Sequence, residues 1–174
     1  MSNENFGMQI KIIPVDKFNE NVFFNLLDKY NCELSQYELT DTNLDGLYDN
    51  ERFKKYLANE RFFAKLFFAE KIPVGLVAYS IYYSTSKKFF ISSLNEFFVL
   101  PKYRRRGIGK FFAYKIFDMC NGFWKVEIHP FNITAQMFWK NVIASYSNGN
   151  YKIENNSIGL YTDGSSPLRI IFWN

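Results

Sequence analysis

The change of hydrophobic period on either side of Pro101 constrains the fold more than any other feature of the sequence. Residues 89–100 form an apolar run of strand length, whereas the apolar residues of 108–119 are spaced as one face of a helix. Residues 124–128 form a second apolar run of strand length. A strand that leads through a helix into another strand makes a right-handed crossover, so we expect these two strands to be parallel neighbours in one sheet.

Further strands and helices are predicted around this crossover. Apolar runs at 62–70 and 75–83 precede the run at 89–100, with turn-like polar residues at 71–73 and 84–87 between them, which predicts an antiparallel meander of three strands. Asp16 is expected to cap the first helix. The other predicted elements are strands at 8–13, 151–153 and 168–173 and helices at 18–31, 50–57 and 133–145. We therefore predict one α/β (α+β) domain over residues 1–174, with a central mixed, mostly antiparallel sheet of about seven strands and about four flanking helices.

The composition is that of a folded globular protein, since 48% of the residues are hydrophobic and 22% are charged. Cys32 and Cys120 form no CxxC pair and no metal-ligand spacing, so we expect a reducing compartment and no metal. The N-terminus lacks the pattern of a signal peptide, and charged residues interrupt every apolar run before the roughly 18 residues that a membrane span needs. We therefore expect a cytoplasmic protein without a membrane partner.

A basic segment with two glycines, residues 104–110, lies between the long strand and the following helix. Free backbone N–H groups in the first turn of a helix point outward, the helix dipole favours an anion, and glycine lets a phosphate approach without obstruction by a Cβ atom. Arginine and lysine side chains add charge-assisted donors. The glycine spacing fits neither a Walker loop nor a dinucleotide fingerprint, so the segment predicts a phosphate site of another type. Its members are Arg104, Arg105, Arg106, Gly107, Ile108, Gly109 and Lys110.

This segment resembles the acetyl-CoA-binding motif of the GNAT superfamily of N-acetyltransferases. That motif is Q/R-x-x-G-x-G/A after a strand that ends in an aliphatic residue, and here Arg104-x-x-Gly107-x-Gly109 follows Val99. The longer segment LNEFFVLPKYRRRGIGKFF looks especially like the form found in spermidine/spermine-type acetyltransferases.

A second motif of the same family is matched downstream. Asn132-x-x-Ala135-x-x-Phe138-Trp139-Lys140 resembles N-x-x-A-x-x-F-Y-K, at the expected distance across one helix and one strand. Together the two motifs imply a GNAT-type fold with acetyl-CoA as cosubstrate.

The resemblance also implies which residues bind acetyl-CoA. The backbone of Phe97, Phe98 and Val99 would pair with the pantetheine arm as an added strand would, at the point where family members splay the two parallel strands. The amides of residues 104–110 would hold the pyrophosphate. Asn132 would hydrogen-bond the pantetheine arm, and Trp139 would form a wall of the channel.

Glu96 is the candidate proton acceptor. It occupies a position that is acidic in the family, and an alkyl amine with a pKa near roughly 10 must lose a proton before it attacks a thioester. Leu94 and Phe98 are expected on the same face of the strand, where they would raise the pKa of Glu96. The alternative is a strand-end carboxylate bonded to a surface lysine.

Two positions depart from the family pattern. The neighbouring acidic position is Asn95, and Trp139 stands where many members carry a tyrosine proposed to protonate the departing thiolate. Indole cannot act as that acid, although a thiolate with a pKa near roughly 8.5 already leaves well. His129, the only histidine, is a minor candidate beside the pantetheine channel. The other tyrosines considered as acids are Tyr103, Tyr114 and Tyr146.

The segment between Asn31 and Asn50 carries acidic residues and no lysine or arginine. Such a segment would attract a cationic amine, and a solvated acidic loop explains the same pattern equally well. Its acidic residues are Glu33, Glu38, Asp41, Asp45 and Asp49.

Three functions are compatible with these observations. The first is an N-acetyltransferase that transfers the acetyl group of acetyl-CoA to a primary amine of a small molecule or peptide by direct attack in a ternary complex. The second is a GNAT-fold acyl-CoA-binding module without turnover, which Asn95 and Trp139 leave open. The third, a nucleic-acid-binding domain, is disfavoured because the net charge of +4 and the acidic segment leave no continuous basic stripe. A homodimer is compatible with all three.

Overall fold

Antiparallel pairing joins the first four strands, each to the next along the chain. They are β1 (Ile10–Pro14), β2 (Phe62–Ala69), β3 (Ile72–Ser84) and β4 (Phe89–Val99). The computed structural model describes residues 7–154 and 161–174. Three more strands complete the sheet in these residues, namely β5 (Phe123–Ile128), β6 (Tyr151–Glu154) and β7 (Leu168–Trp173), in the order β1-β2-β3-β4-β5-β7-β6.

The predicted crossover lies at the centre of this sheet. Helix α3 (Ile108–Phe117) connects β4 to β5, and these two strands pair in parallel from Ile91–Phe123 to Leu94–Val126. Every other pairing in the described residues is antiparallel. The predicted fold class and the parallel neighbours are both confirmed.

The helices cover the sheet on both faces. Helices α1 (Glu20–Glu38) and α2 (Glu51–Leu57) bury apolar side chains on one face, and α3 and α4 (Ile133–Tyr146) do so on the other. Buried residues of α1 and α2 are Phe23, Leu26, Leu27 and Phe53.

In the part of the chain that the structure describes, no helix is long and apolar enough to cross a membrane.

Helix α1 is longer than the predicted helix at 18–31, and Asn19 is its N-terminal capping position in place of Asp16. The Asp16 carboxylate instead accepts a hydrogen bond from the amide of Phe18 at 2.8 Å. The two extra turns at the C-terminal end are held by tertiary contacts, because Glu33 pairs with Arg104 and the ring of Tyr37 lies 5.7 Å from that of His129. Contacts of this kind leave no periodic signal in the local sequence.

Strand β3 begins at Ile72, within the segment 71–73 that the sequence predicts as a turn. The chain reverses at Glu70, which adopts a positive φ of 55°. Pro73 then enters the strand at a register shift opposite Phe67 and Phe68, where a residue without an N–H is tolerated. All other predicted elements agree with the structure to within two residues at each end.

Candidate active site

Strand β4 contains a β-bulge at Asn95. Leu94 pairs with Tyr79 and Glu96 pairs with Ala78, so Asn95 is the additional residue on this strand. A bulge shifts the alternation of side chains by one residue. As a result Leu94 packs in the core under α3 and α4, whereas Phe98 packs in the core under α1 and α2. The expectation that both flank Glu96 on one face is therefore wrong for Leu94.

Glu96 faces α1 and α2, and its side chain is 11% exposed. The Tyr30 hydroxyl donates a hydrogen bond to its carboxylate, and Arg52 Nη2 lies 3.6 Å from Glu96 Oε1. Burial raises the pKa of Glu96 to about 7; Arg52 and Tyr30 oppose this rise, and the nearby charge of Glu38 adds to it. A carboxylate with this pKa is suited to accept a proton near neutral pH. Its charged neighbour is an arginine and not the surface lysine of the alternative interpretation.

The parallel strands separate directly after the bulge. Their last paired residues are Leu94 and Val126, although β4 continues for five more residues to Val99. In the described residues, the segment from Phe97 to Val99 pairs with β3 on one side and with no strand on the other. An unpaired strand edge of this kind can add an extended ligand through backbone hydrogen bonds. The geometry therefore fits an extended amide-containing chain such as a pantetheine arm.

The basic segment forms a concave backbone at the start of α3. Arg105 and Gly107 adopt positive φ angles of 61° and 78°, and α3 begins at Ile108. Among the described residues, the amides from Arg105 to Lys110 have no hydrogen-bond acceptor in the protein. Successive free amides at a helix N-terminus bind anions. This segment can therefore hold a phosphate group, whereas the amide of Arg104 already donates to the carbonyl of Pro101 at 3.1 Å.

Two of the four cationic side chains in the segment are engaged within the protein. Arg104 Nη2 donates to both carboxylate oxygens of Glu33 at 2.8 Å, and Arg104 Nε donates to the Val99 carbonyl at 2.6 Å. Lys110 Nζ donates to Ser145 Oγ at 2.9 Å. The side chains that remain exposed for an anion are those of Arg105 and Arg106.

Helix α4 contributes one polar and one aromatic side chain. Asn132 is its N-cap, and Asn132 Oδ1 accepts from the amide of Ala135 at 3.0 Å, which leaves the side-chain NH2 group as a donor. Trp139 is 6% exposed and lies edge to face against Phe97, with ring centroids 5.0 Å apart. Trp139 thus packs directly behind the open edge of β4 and offers no acidic proton there.

The tyrosines that the sequence offered as alternative acids do not surround Glu96. The rings of Tyr114 and Tyr146 contact each other at 4.9 Å, and the Tyr146 hydroxyl donates to Asp118 Oδ1. Tyr146 is the last residue of α4, about 20 Å along the helix from Asn132. Tyr103 lies in a short 3₁₀ helix at Pro101–Tyr103, where it packs against the core under α3 and α4.

The tyrosine nearest to the candidate base comes from α1. Tyr30 is the one that hydrogen-bonds Glu96, and burial raises its pKa well above the ordinary value, so its hydroxyl is a donor at all working pH values. The i+4 apolar spacing of α1 contains Tyr30, but nothing in that spacing indicates a carboxylate partner on a distant strand.

His129 is buried at the end of β5, with 3% of its surface exposed. Its Nδ1 accepts a hydrogen bond from the amide of Phe131 at 3.3 Å, so the proton of the neutral ring is on Nε2. Within residues 7–154 and 161–174, Nε2 has no hydrogen-bond partner, and it lies 3.6 Å from Asp163 Oδ2. A protonated Nε2 cannot accept a proton from an amine, which argues against His129 as the base. No group of three or more metal-ligating side chains occurs in the described ranges.

The acidic segment divides into residues with different roles. Glu33 pairs with Arg104, and the Asp49 carboxylate accepts from the amide of Glu51 at 2.9 Å. The negative charge of Glu38 raises the pKa of Glu96. Asp41 and Asp45 are exposed.

The described residues thus form a mixed sheet whose parallel strands open beside a helix N-terminus, with a buried carboxylate at the opening. The family model described as "Acetyltransferase (GNAT) family" matches residues 25–142. The chain belongs to this family, as the motifs predict. No curated protein matches the sequence at a significant level.

Solved structures of N-acetyltransferases share this fold at low sequence identity. Naa50 of Arabidopsis thaliana in complex with the bisubstrate analogue CoA-Ac-MVNAL is 18% identical, with a TM-score of 0.60 over 93% of this chain and 97% of that one. The ribosomal-protein-S18-alanine N-acetyltransferase of Escherichia coli is 11% identical, with a TM-score of 0.62 over 95% and 94%. A spermidine N-acetyltransferase SpeG chimera from Vibrio cholerae and hSSAT is 10% identical, with a TM-score of 0.64 over 95% of each chain.

Proposed function

We propose that this protein is an N-acetyltransferase that transfers the acetyl group of acetyl-CoA to a primary amine of a small molecule or peptide in a ternary complex. The observation that carries the proposal is the position of Glu96, a buried carboxylate with a pKa of about 7 directly before the open edge of β4. The edge would present acetyl-CoA to an amine held on the α1 side. Membership of the GNAT family and the CoA-bound relative support this assignment.

The chain has suitable groups for each part of acetyl-CoA. The backbone of Phe97 to Val99 would pair with the pantetheine arm, and the side-chain NH2 group of Asn132 would donate to it. The free amides from Arg105 to Lys110 would bind the pyrophosphate, with the exposed Arg105 and Arg106 side chains as additional donors. Arg104 would act through its hydrogen bonds to Glu33 and Val99, and not by direct contact with phosphate.

Transfer requires the amine to lose two protons in all. Glu96 takes the first from the ammonium group, and the freed nitrogen lone pair attacks the thioester carbonyl carbon. The new C–N bond replaces the C–S bond, and CoA leaves as a thiolate, which is stable enough to leave without an acid. The second proton passes from the amide nitrogen to the thiolate or to water. Trp139 takes no part in proton transfer and acts as an apolar wall.

The decisive experiment measures thiol release from acetyl-CoA across a panel of amines for the native protein and Glu96→Gln. We expect Glu96→Gln to lower turnover by roughly 10²–10⁴-fold, with acetyl-CoA affinity unchanged. The loss should shrink as the pH approaches the amine pKa, because free amine then becomes available. Full activity of Glu96→Gln at pH 7 would exclude Glu96 as the base.

The same experiment tests the second candidate function, an acyl-CoA-binding module without turnover. This candidate is favoured by Asn95 in place of an acidic residue and by the absence of an acidic proton on Trp139. Acetyl-CoA binding without thiol release for any amine would support it. Binding should raise the melting temperature, since the ligand stabilises only the native state.

A further inference from the structure

We propose that this chain forms a two-fold dimer in which Leu44 of each copy inserts into a cleft on the uncovered half of the other copy's sheet. The occupant of the cleft is thus a second copy of the same chain, and the inference is independent of the proposed acetyl transfer. Three features carry it: an uncovered half of the sheet, a cleft with cationic side chains in that half, and a projecting leucine in an acidic segment.

Half of the sheet is uncovered on the side of α1 and α2. Among residues 7–154 and 161–174, the apolar cluster beneath these two helices contains no buried residue of β5, β6 or β7. On β5 and β7, core residues under α3 and α4 alternate with partly exposed ones, and alternate side chains of a strand point to opposite faces. The side chains that point to the uncovered half are Phe123, Lys125, Glu127, Arg169, Ile171 and Trp173.

A cleft in this uncovered half can receive one aliphatic side chain. Its volume is about 170 Å³, and apolar cavities of roughly 150 Å³ hold a benzene molecule. Ile91 and Ile171 give the cleft an apolar lining. Lys125 pairs with Glu127, whereas Lys87 is exposed and can meet a carboxylate from another chain. The charged residues that line the cleft are Lys87, Lys125, Arg169 and Glu154, so its cations outnumber its carboxylates.

The segment 39–49, which joins α1 to α2, has the complementary properties. Leu44 is fully exposed, and Leu39 and Leu47 are 76% and 51% exposed. Exposed apolar side chains that occur together mark protein interaction sites. Asp45 directly follows Leu44, and no lysine or arginine balances the acidic residues of this segment, which are Asp41, Asp45 and Asp49.

The turn that carries Leu44 is held in shape by Asn43. Asn43 Oδ1 accepts hydrogen bonds from the amides of Asp45 and Leu47 at 2.9 Å and 3.0 Å, and the Asn43 amide donates to the Leu47 carbonyl at 2.9 Å. Leu44 is therefore presented by a turn that is already ordered. Insertion of a preorganised group costs less conformational entropy than insertion of a flexible one.

The acidic segment and the cleft lie on the same side of the sheet, as a two-fold dimer requires. Helices α1 and α2 pack on that side, and the segment between them begins beside the residues that precede β7, because Thr162 Oγ1 donates to the Glu38 carbonyl at 2.5 Å. A two-fold axis between two complementary patches places each patch on its counterpart in the other copy. In this arrangement Leu44 fills the cleft and Asp45 pairs with Lys87 of the other copy.

The test measures the molecular mass of the protein by sedimentation velocity as a function of concentration. We expect the native protein to be a dimer at about 100 µM and to dissociate on dilution to about 1 µM, as an interface of modest size does. Leu44→Ser should raise the dimer Kd at least about tenfold, because each dimer buries two copies of this side chain. Phe18→Ser removes an apolar side chain that is 86% exposed just before α1, and this matched control should leave the Kd unchanged.

A charge exchange tests the pairing of the two surfaces separately. Asp45→Lys and Lys87→Glu should each weaken the dimer, and the two changes combined in one chain should restore it, because the attraction is then reversed in sign but not lost. The Kd of the native dimer should also rise between about 0.05 M and 0.5 M salt, since salt screens exposed charges. Circular dichroism checks that every variant is folded.

Four results would overturn the inference. The first is a native protein that stays monomeric at about 100 µM, which would leave the cleft to another occupant. The others are a Leu44→Ser dimer as tight as the native one, an equal loss in Phe18→Ser, and a double charge variant that fails to regain the dimer. None of these measurements requires acetyl transfer, so the dimer and the proposed enzymatic function can fail independently.

Discussion

Glu96→Gln should make the folded protein more stable at pH 8 than the native sequence. The pKa of Glu96 is about 7, against an ordinary value of 4.5, because the carboxylate is buried. A tenfold change in proton affinity corresponds to about 1.4 kcal/mol, so ionising Glu96 at pH 8 costs the native state about 3 kcal/mol more than the unfolded chain. A neutral glutamine of the same shape avoids this cost.

The sign of the pH dependence distinguishes this effect from a general stabilisation. A carboxyl group with a raised pKa in the folded state contributes its stability below pH 4.5, and this contribution is lost as the pH rises through about 7. The advantage of Glu96→Gln should therefore be near zero at pH 4.5 and reach roughly 6–12 °C in melting temperature at pH 8. Differential scanning calorimetry at several pH values measures it.

Two further variants sharpen the test of Glu96. Glu60→Gln removes an exposed carboxylate and should change the melting temperature little at either pH. Arg52→Ala removes the cation 3.6 Å from Glu96, so it should raise the pKa of Glu96 further and lower stability at pH 8. If Glu96→Gln proved no more stable than the native protein at pH 8, or equally stabilised at pH 4.5 and pH 8, the buried-carboxylate argument would fail.

The remaining predictions concern residues of the proposed acetyl-CoA site. Trp139→Ala should cost about 3–5 kcal/mol in denaturant unfolding, as truncation of a buried aromatic residue does, whereas Trp139→Phe should keep most thiol-release activity. Trp139→Tyr should leave turnover largely unchanged, because the thiolate leaves without an acid; a large gain would show that the native protein lacks a useful acid at this position. Gly109→Val should abolish the rise in melting temperature caused by acetyl-CoA, because a Cβ atom here would lie 3.3 Å from the Phe138 ring and the start of α3 would have to shift away from it. Retained affinity would place the pyrophosphate elsewhere. Glu33→Gln and Arg104→Lys should each weaken acetyl-CoA binding by less than about 1 kcal/mol, because their ion pair is half-exposed. The two effects should not be additive, because the residues pair directly; additivity in a double-mutant cycle would contradict that coupling.

The sequence by itself determined the crossover and the glycine-containing basic segment that we propose binds the pyrophosphate. Both depend on short-range patterns: the change from strand to helix spacing near Pro101 and the glycines at 107 and 109. Such patterns are local because hydrophobic periodicity and glycine conformation depend only on neighbouring residues. The parallel pairing of β4 and β5 followed from the first pattern, and the resemblance to the GNAT family followed from the glycine motif together with the Asn132 motif. The structure and the family match agree with both.

Only the tertiary structure decided what surrounds Glu96. The bulge at Asn95 reversed the face on which Leu94 lies, since one added residue shifts a two-residue alternation. Tyr30 meets Glu96 across two elements, and Glu33 captures Arg104 from 71 positions away. Contacts at such separations are set by how helices pack on the sheet, and they leave no periodic trace in the sequence. The pKa of Glu96 likewise comes from burial, which depends on the packing of α1 and α2 over β4.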